Sequence, residues 1–361
     1  MKAGQTLQEM AKELERQRDA KRDFVAPTSQ LEVLVDHDIN KAHEKGEHLV
    51  DATRFKVNGH GDFAIGDTAH DQLSNRLGIP RKYYDRMKTT APNLLATNAN
   101  HWLKNEKEKR MVRTLDGNMR AFLSSRFRPL DNFELAETVL PVLIGTGCKI
   151  ESSALTEKRI YIKAVTEKLT AEVKKGDIVQ AGIVISNSEI GLGSVRVEPL
   201  IYRLVCTNGM IVNDHAMRKY HVGRNADVDL AEEFFRDATR RADDKAFWMK
   251  VRDVVTGALR KDVFDRIVNR MRDVVDTEIV GAPEKVVEVM QEKYQLNDGE
   301  RSGILKHLIK GGDLTQYGMV NAITRFSQDV ADYDRATDME RLGGVVLELP
   351  KISWAEIAEA A

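Results

Sequence analysis

The chain has 361 residues, 42% of them hydrophobic and 31% charged, with a formal net charge of −1, so it is long enough for two or three domains and its overall charge draws it to neither nucleic acid nor membrane. Two cysteines, Cys148 and Cys206, exclude a disulfide scaffold and fall in no metal-ligand spacing. No run reaches the roughly 18 apolar residues of a membrane helix and no apolar signal segment opens the chain, so a cytoplasmic protein without a membrane partner is expected.

Residues 4–22 set Leu7, Met10, Ala11 and Leu14 at helical spacing and predict an amphipathic arm that ends at Pro27. A strand is expected over 31–35. Arg54 to Val57 and Phe63 to Ile65 flank Asn58-Gly59-His60-Gly61 and predict a hairpin. Asp67 caps a helix through Leu73 and Leu77, Pro80 starts a second through Tyr84 and Met87, and Pro92 a third through Leu103. A strand over 118–128 ends at Pro129. Asp131 and Glu134 have capping-box spacing and open a helix through Val142. Strands rich in Val, Ile and Tyr follow at about 148–153, 159–165, 178–186, 195–206 and 216–222, with Gly191-Leu192-Gly193-Ser194 as one turn and Asn208-Gly209 as another. From a second capping box at Asp229 and Glu232 the pattern is helical: about 230–257, 259–276, 283–294, 300–310, 316–331 and 335–342.

The expected class is therefore α+β. A mixed, mainly antiparallel sheet with helices fills the N-terminal two-thirds, and an all-helical part follows. The expected domains are an arm at 1–30, an α+β core at 31–224 and a helical domain at 225–361. Both cysteines sit in apolar segments and are expected to be buried small hydrophobes. Charge is uneven: residues 101–130 hold eight Lys/Arg and three acids, net +5, whereas 331–361 hold seven acids and three bases, net −4. Such an acidic end can compete for a basic surface or dock a basic partner.

The search for reaction chemistry gives no constellation. His37, His43 and His48 lie among acids, but separations of six and five do not put them on one helix face, so a solvated loop is expected rather than a metal site. His70 reads as structural. Gly191-Leu192-Gly193 lacks the rest of a dinucleotide or phosphate loop, and no nucleophile elbow exists. No catalytic residue, metal or cofactor is assigned.

Three segments place an aromatic ring two residues from a cation, the spacing that shares one face of a strand. Arg120, Phe122, Arg126 and Arg128 do so in 118–128, Arg159, Tyr161 and Lys163 in 159–164, and Arg218 and Tyr220 in 218–222. Gathered on one exposed sheet face, the cations would hold phosphates while the rings stack on bases.

His70-Asp71-Gln72-Leu73, Leu77 to Tyr84, Ala121 to Asn132 and Arg203 to Met210 carry a resemblance. In these the chain resembles the domain-of-unknown-function 932 family over roughly residues 50 to 275. The resemblance implies a phage- or plasmid-encoded protein acting in a bacterial host, and it implies no activity and no site residue. Three functions follow as expectations. The first is sequence-independent binding or annealing of single-stranded nucleic acid in recombination or replication. The second is a non-enzymatic, homo-oligomeric interaction or scaffold protein whose terminal helices meet a host or phage protein. The third, an enzyme on a nucleotide or nucleic acid, requires acids and histidines to converge in space.

Overall fold

A computed structural model describes residues 1–36, 38–39, 51–127, 129–212 and 237–359. The fold is α+β, and the described residues form two compact units. The smaller comprises Lys12–Leu130 with Glu189–Leu192, and the larger Met1–Ala11, Asp131–Ser188 and Gly193–Ala361. The expected boundary at 224 lies outside the described residues. The helix α1 (Leu7–Ala20) buries Met10 and Leu14, two of the residues whose spacing predicted it.

In the smaller unit, strands β1 (Arg22–Pro27), β2 (Leu31–Val35), β3 (Thr53–Val57), β4 (Gly61–Ile65), β5 (Lys109–Leu115) and β6 (Asn118–Ser124) form one sheet in the order β1-β5-β6-β4-β3-β2. All pairs are antiparallel except β4 with β6. The predicted hairpin joins β3 to β4, and its turn uses Gly59 and Gly61 at φ of +81° and +109°, a region that costs glycine nothing. Helices α2 (Asp67–Arg76), α3 (Arg81–Thr90) and α4 (Pro92–Asn105) cover the sheet. Their apolar stripes, including Leu73, Tyr84, Leu95 and Leu103, pack with Phe55, Val112, Met119 and Phe122 in one core. β1 and β5 were not expected: β1 follows the arm directly, and β5 hides its strand pattern behind Arg110 and Arg113, both buried.

The larger unit holds α5 (Asn132–Gly145) and the strands β7 (Lys149–Leu155), β8 (Ile160–Glu172), β9 (Ile178–Asn187), β10 (Arg196–Arg203) and β11 (Asn208–Ile211), an antiparallel meander in the order β11-β10-β9-β8-β7. Seven helices follow: α6 (Asp237–Ala258), α7 (Lys261–Asp273), α8 (Pro283–Tyr294), α9 (Asp298–Gly311), α10 (Gln316–Phe326), α11 (Tyr333–Leu347) and α12 (Lys351–Ala358), counted among the described residues. Val179, Ala181, Ile201 and Met210 of the sheet share one core with Phe264, Ile267, Val287, Ile323, Met339 and Trp354 of the helices. Strands and C-terminal helices therefore fold as one body, because neither the sheet face nor the helical stripes can be buried alone.

Two local expectations shift. The Asn208-Gly209 pair does not form the turn; residues 204–207 do, with Thr207 at φ 51°, and Asn208 enters β11. The Asn208 amide instead donates to Thr324 Oγ1 at 2.6 Å inside the core. Cys148 is buried as expected, but Cys206 is half-buried and accepts from Arg203 Nη1 at 3.5 Å. The expected strand at 216–222, the capping box at 229–232 and His37, His43 and His48 lie outside the described residues. No helix among the described residues is long and apolar enough to cross a membrane.

Candidate nucleic-acid interface

A β-bulge changes the reading of 118–124. In the β5–β6 ladder Thr114 pairs with Met119 and Arg113 with Ala121, so Arg120 is an extra residue. One extra residue breaks the period of two. Phe122 consequently joins Met119 on the core side, pairs with Val112 and meets the Phe55 ring edge-on at 5.7 Å. It is buried and cannot stack on a base. Arg120 is largely buried as well, with Nη1 3.3 Å from Glu189, a carboxylate that also receives Lys21 Nζ at 2.8 Å. Arg113 donates to the Glu189 carbonyl at 2.7 Å and to Asp23 at 2.9 Å. Much of the basic run at 101–130 thus serves internal ion pairs. Arg126 is exposed just past β6, while Arg128 lies outside the described residues.

The second ring-bearing segment is sealed in the larger unit. Tyr161 and Lys163 do share one face of β8, as spacing required, but α11 lies on that face. Tyr161 OH donates to Asp334 at 2.7 Å. Lys163 is 0% exposed; its Nζ donates to Glu340 at 2.6 Å and Thr337 at 3.0 Å and stands 4.6 Å from the Tyr333 ring centre. Burial drives the Lys163 ammonium below its usual pKa against the pull of Glu340. Arg159 is half-exposed at the β7–β8 turn, and Arg218 and Tyr220 lie outside the described residues. Neither strand therefore offers its expected ring to solvent: Phe122 and Tyr161 both turn inward, each within its own unit.

Exposed rings occur elsewhere. Among the described residues the large aromatic side chains open to solvent are Tyr83, 46% exposed on α3, and Trp102, 48% exposed on α4. These helices pack against one another in the smaller unit. Their inner stripes are Tyr84 and Met87 on α3 and Leu95, Ala99 and Leu103 on α4, which leaves Lys82, Tyr83 and Arg86 outward on the first and Leu94, His101, Trp102 and Lys104 outward on the second. Lys107 and Lys109 continue the basic run beyond α4, both exposed. Asp85 is committed to Arg81 at 2.8 Å, and Glu108 to Arg76 at 2.7 Å and to Arg110. Neither carboxylate is left to neutralise the outward cations. The indole N–H of Trp102 donates to Asn98 at 2.9 Å, and its ring meets His101 edge-on at 5.2 Å, which holds it in place. Sequence reasoning passed over these rings because they sit on helices whose other face is apolar; the signal available was Tyr83 three residues before Arg86, the spacing that shares one side of a helix.

Beneath this surface His70 is buried, its Nδ1 2.8 Å from Tyr84 OH and its Nε2 2.6 Å from Asp51 Oδ2. Thr53 donates to the other Asp51 oxygen at 2.6 Å. Burial opposes ionisation of Asp51, but the bonds from His70 and Thr53 prevail and hold its carboxyl below its usual value. Burial and the nearby Asp51 push the Tyr84 phenol up. The chain of contacts ties β3, α2 and α3 together.

The family model described as Domain of unknown function (DUF932) matches residues 121–343, more than half of the chain. The chain belongs to the DUF932 family. The DUF932 match begins within β6 and ends in α11, so the resembling segments at 121–132 and 203–210 lie inside it and those at 70–84 lie outside. No curated protein and no solved structure matches the chain.

Proposed function

We propose that this DUF932 protein is a phage- or plasmid-encoded, cytoplasmic, sequence-independent binder of single-stranded nucleic acid, acting in recombination or replication by binding rather than turnover. The observation that carries the reading is that one pair of packed helices, α3 and α4, bears both the exposed rings Tyr83 and Trp102 and the exposed cations Lys82, Arg86 and Lys104. Flat rings beside cations are what an unpaired strand requires: every base has a face on which to stack, and every nucleotide brings one phosphate. A duplex hides its base faces and offers the rings nothing.

The test is fluorescence anisotropy with a labelled single-stranded oligonucleotide and its duplex. The single strand binds more tightly than the duplex, and Trp102→Ala weakens it about 5- to 150-fold, the range set by base stacking on one ring. Equal affinity for both forms, or a Trp102→Ala protein that binds as well as the parent, overturns this reading.

A further inference from the structure

The larger unit carries a ridge and a groove of matching character. The helix α12 buries Trp354, Ile357 and Ala358 in the core. At about 100° per residue, Ile352, Glu356 and Glu359 fall within roughly 60° of one another on the opposite side, and all three are exposed. Ile352 is 77% exposed, and at the other end of the helix Val280, whose N–H donates to the Ala358 carbonyl at 3.0 Å, is 76% exposed. These are the most exposed large apolar side chains among the described residues. Lys351 stands at the start of the ridge and the two glutamates towards its end.

The groove runs between α8 and α9 and has a volume of about 600 Å³. Leu305 and Ile309 supply its apolar surface. Arg301, Lys306 and Lys310 line it from α9, and Glu284, Lys285 and Glu288 from α8, with Lys285 3.4 Å from Glu288. The α9 wall is thus basic and the α8 wall mixed in charge, over an apolar floor. A single helix lies in such a groove when its apolar residue meets the floor and its charges oppose the walls.

We propose that the α12 ridge of one copy of this chain seats in the α8–α9 groove of a second copy, with Ile352 against Leu305 and Ile309. Glu356 and Glu359 face the basic wall of Lys306 and Lys310. Each copy has both surfaces, so the contact closes into a symmetric pair or a ring, or propagates. It stands independently of nucleic-acid binding, whose rings and cations lie on α3 and α4.

Light scattering after size-exclusion chromatography of the full chain at low salt tests it. The parent self-associates, and Ile352→Asp or the pair Lys306→Glu/Lys310→Glu weakens association about tenfold or more. Combining Lys306→Glu/Lys310→Glu with Glu356→Lys/Glu359→Lys restores it, because the charges oppose again. All substituted positions are at the surface, and unchanged thermal melts confirm folding. A parent that stays monomeric at high concentration overturns the proposal. So does association indifferent to these changes, or a doubly reversed variant that does not recover.

Discussion

At Asp51 two hydrogen bonds outweigh burial, and the direction of the pKa shift gives a sign to test. A carboxyl whose folded pKa is depressed contributes stability that is present above its unfolded pKa and is lost as pH falls through the folded value. Asp51→Asn keeps the shape and removes the charge that His70 and Thr53 meet. The substitution should cost about 1–3 kcal/mol near neutrality, the range for a buried charge-assisted bond. The gap to the parent should begin to narrow below about pH 4 and close only as the pH falls through the depressed folded value, where the parent's carboxyl also gains its proton. Urea unfolding at both pH values measures it; an equal gap at the two would assign the effect to packing instead. Residue identity also shows where sequence reading stops. The alternation in 118–124 is visible, but the bulge at Arg120 is a property of the β5–β6 ladder, and β5 was itself hidden by its buried arginines. With the bulge unseen, Phe122 falls on the wrong face.

Elements were legible where local chemistry and packing agree. The turn at 58–61, the proline starts of α3 and α4 and the helix at 283–294 follow from glycine, proline and apolar spacing alone. Asp131 stands at the N-cap of α5 as expected but without a side-chain cap bond, whereas Asn297 and Glu300 form a full capping box, with both reciprocal bonds at 2.9 and 3.0 Å. What sequence could not supply is which helix covers which strand. The pair of β8 and α11 is an example: Lys163 and Glu340 are 177 positions apart and both fully buried. Its energetics follow from desolvation. Glu340→Ala leaves a buried ammonium without its partner and should cost about 3–5 kcal/mol, whereas Lys163→Met with Glu340→Leu removes both charges and should be near neutral. Denaturant midpoints of the three proteins decide it. A double variant as unstable as the single would show that the pair itself, rather than avoidance of a stranded charge, holds α11 on the sheet. The approach of that helix also depends on Gly344, where any Cβ would collide with the Ile211 carbonyl, so the cost of losing the pair is not masked by a loosely docked helix.

For the whole molecule, the order of predicted strands and helices implied the α+β class, and the structure has it. The proposed function rests not on the net charge of −1 but on where the cations stand. Of the basic run at 101–130, Arg110, Arg113 and Arg120 turn inward to carboxylates, while Lys104, Lys107 and Lys109 remain outside. Length and spacing in the sequence do not separate these two groups; burial does. The candidate surface thereby moves from strands to helices, where exposed rings and exposed cations occur on the same pair of elements. The direct measurement is the dependence of single-strand affinity on salt, for the parent and for Lys82→Ala/Arg86→Ala/Lys104→Ala. Each phosphate contact releases counterions, with a slope of about 0.7 per contact for single strands. The account predicts a parent affinity that falls with salt and a triple variant whose slope is shallower by roughly 2. A parent affinity indifferent to salt, or a triple variant with the parent's slope, would contradict it.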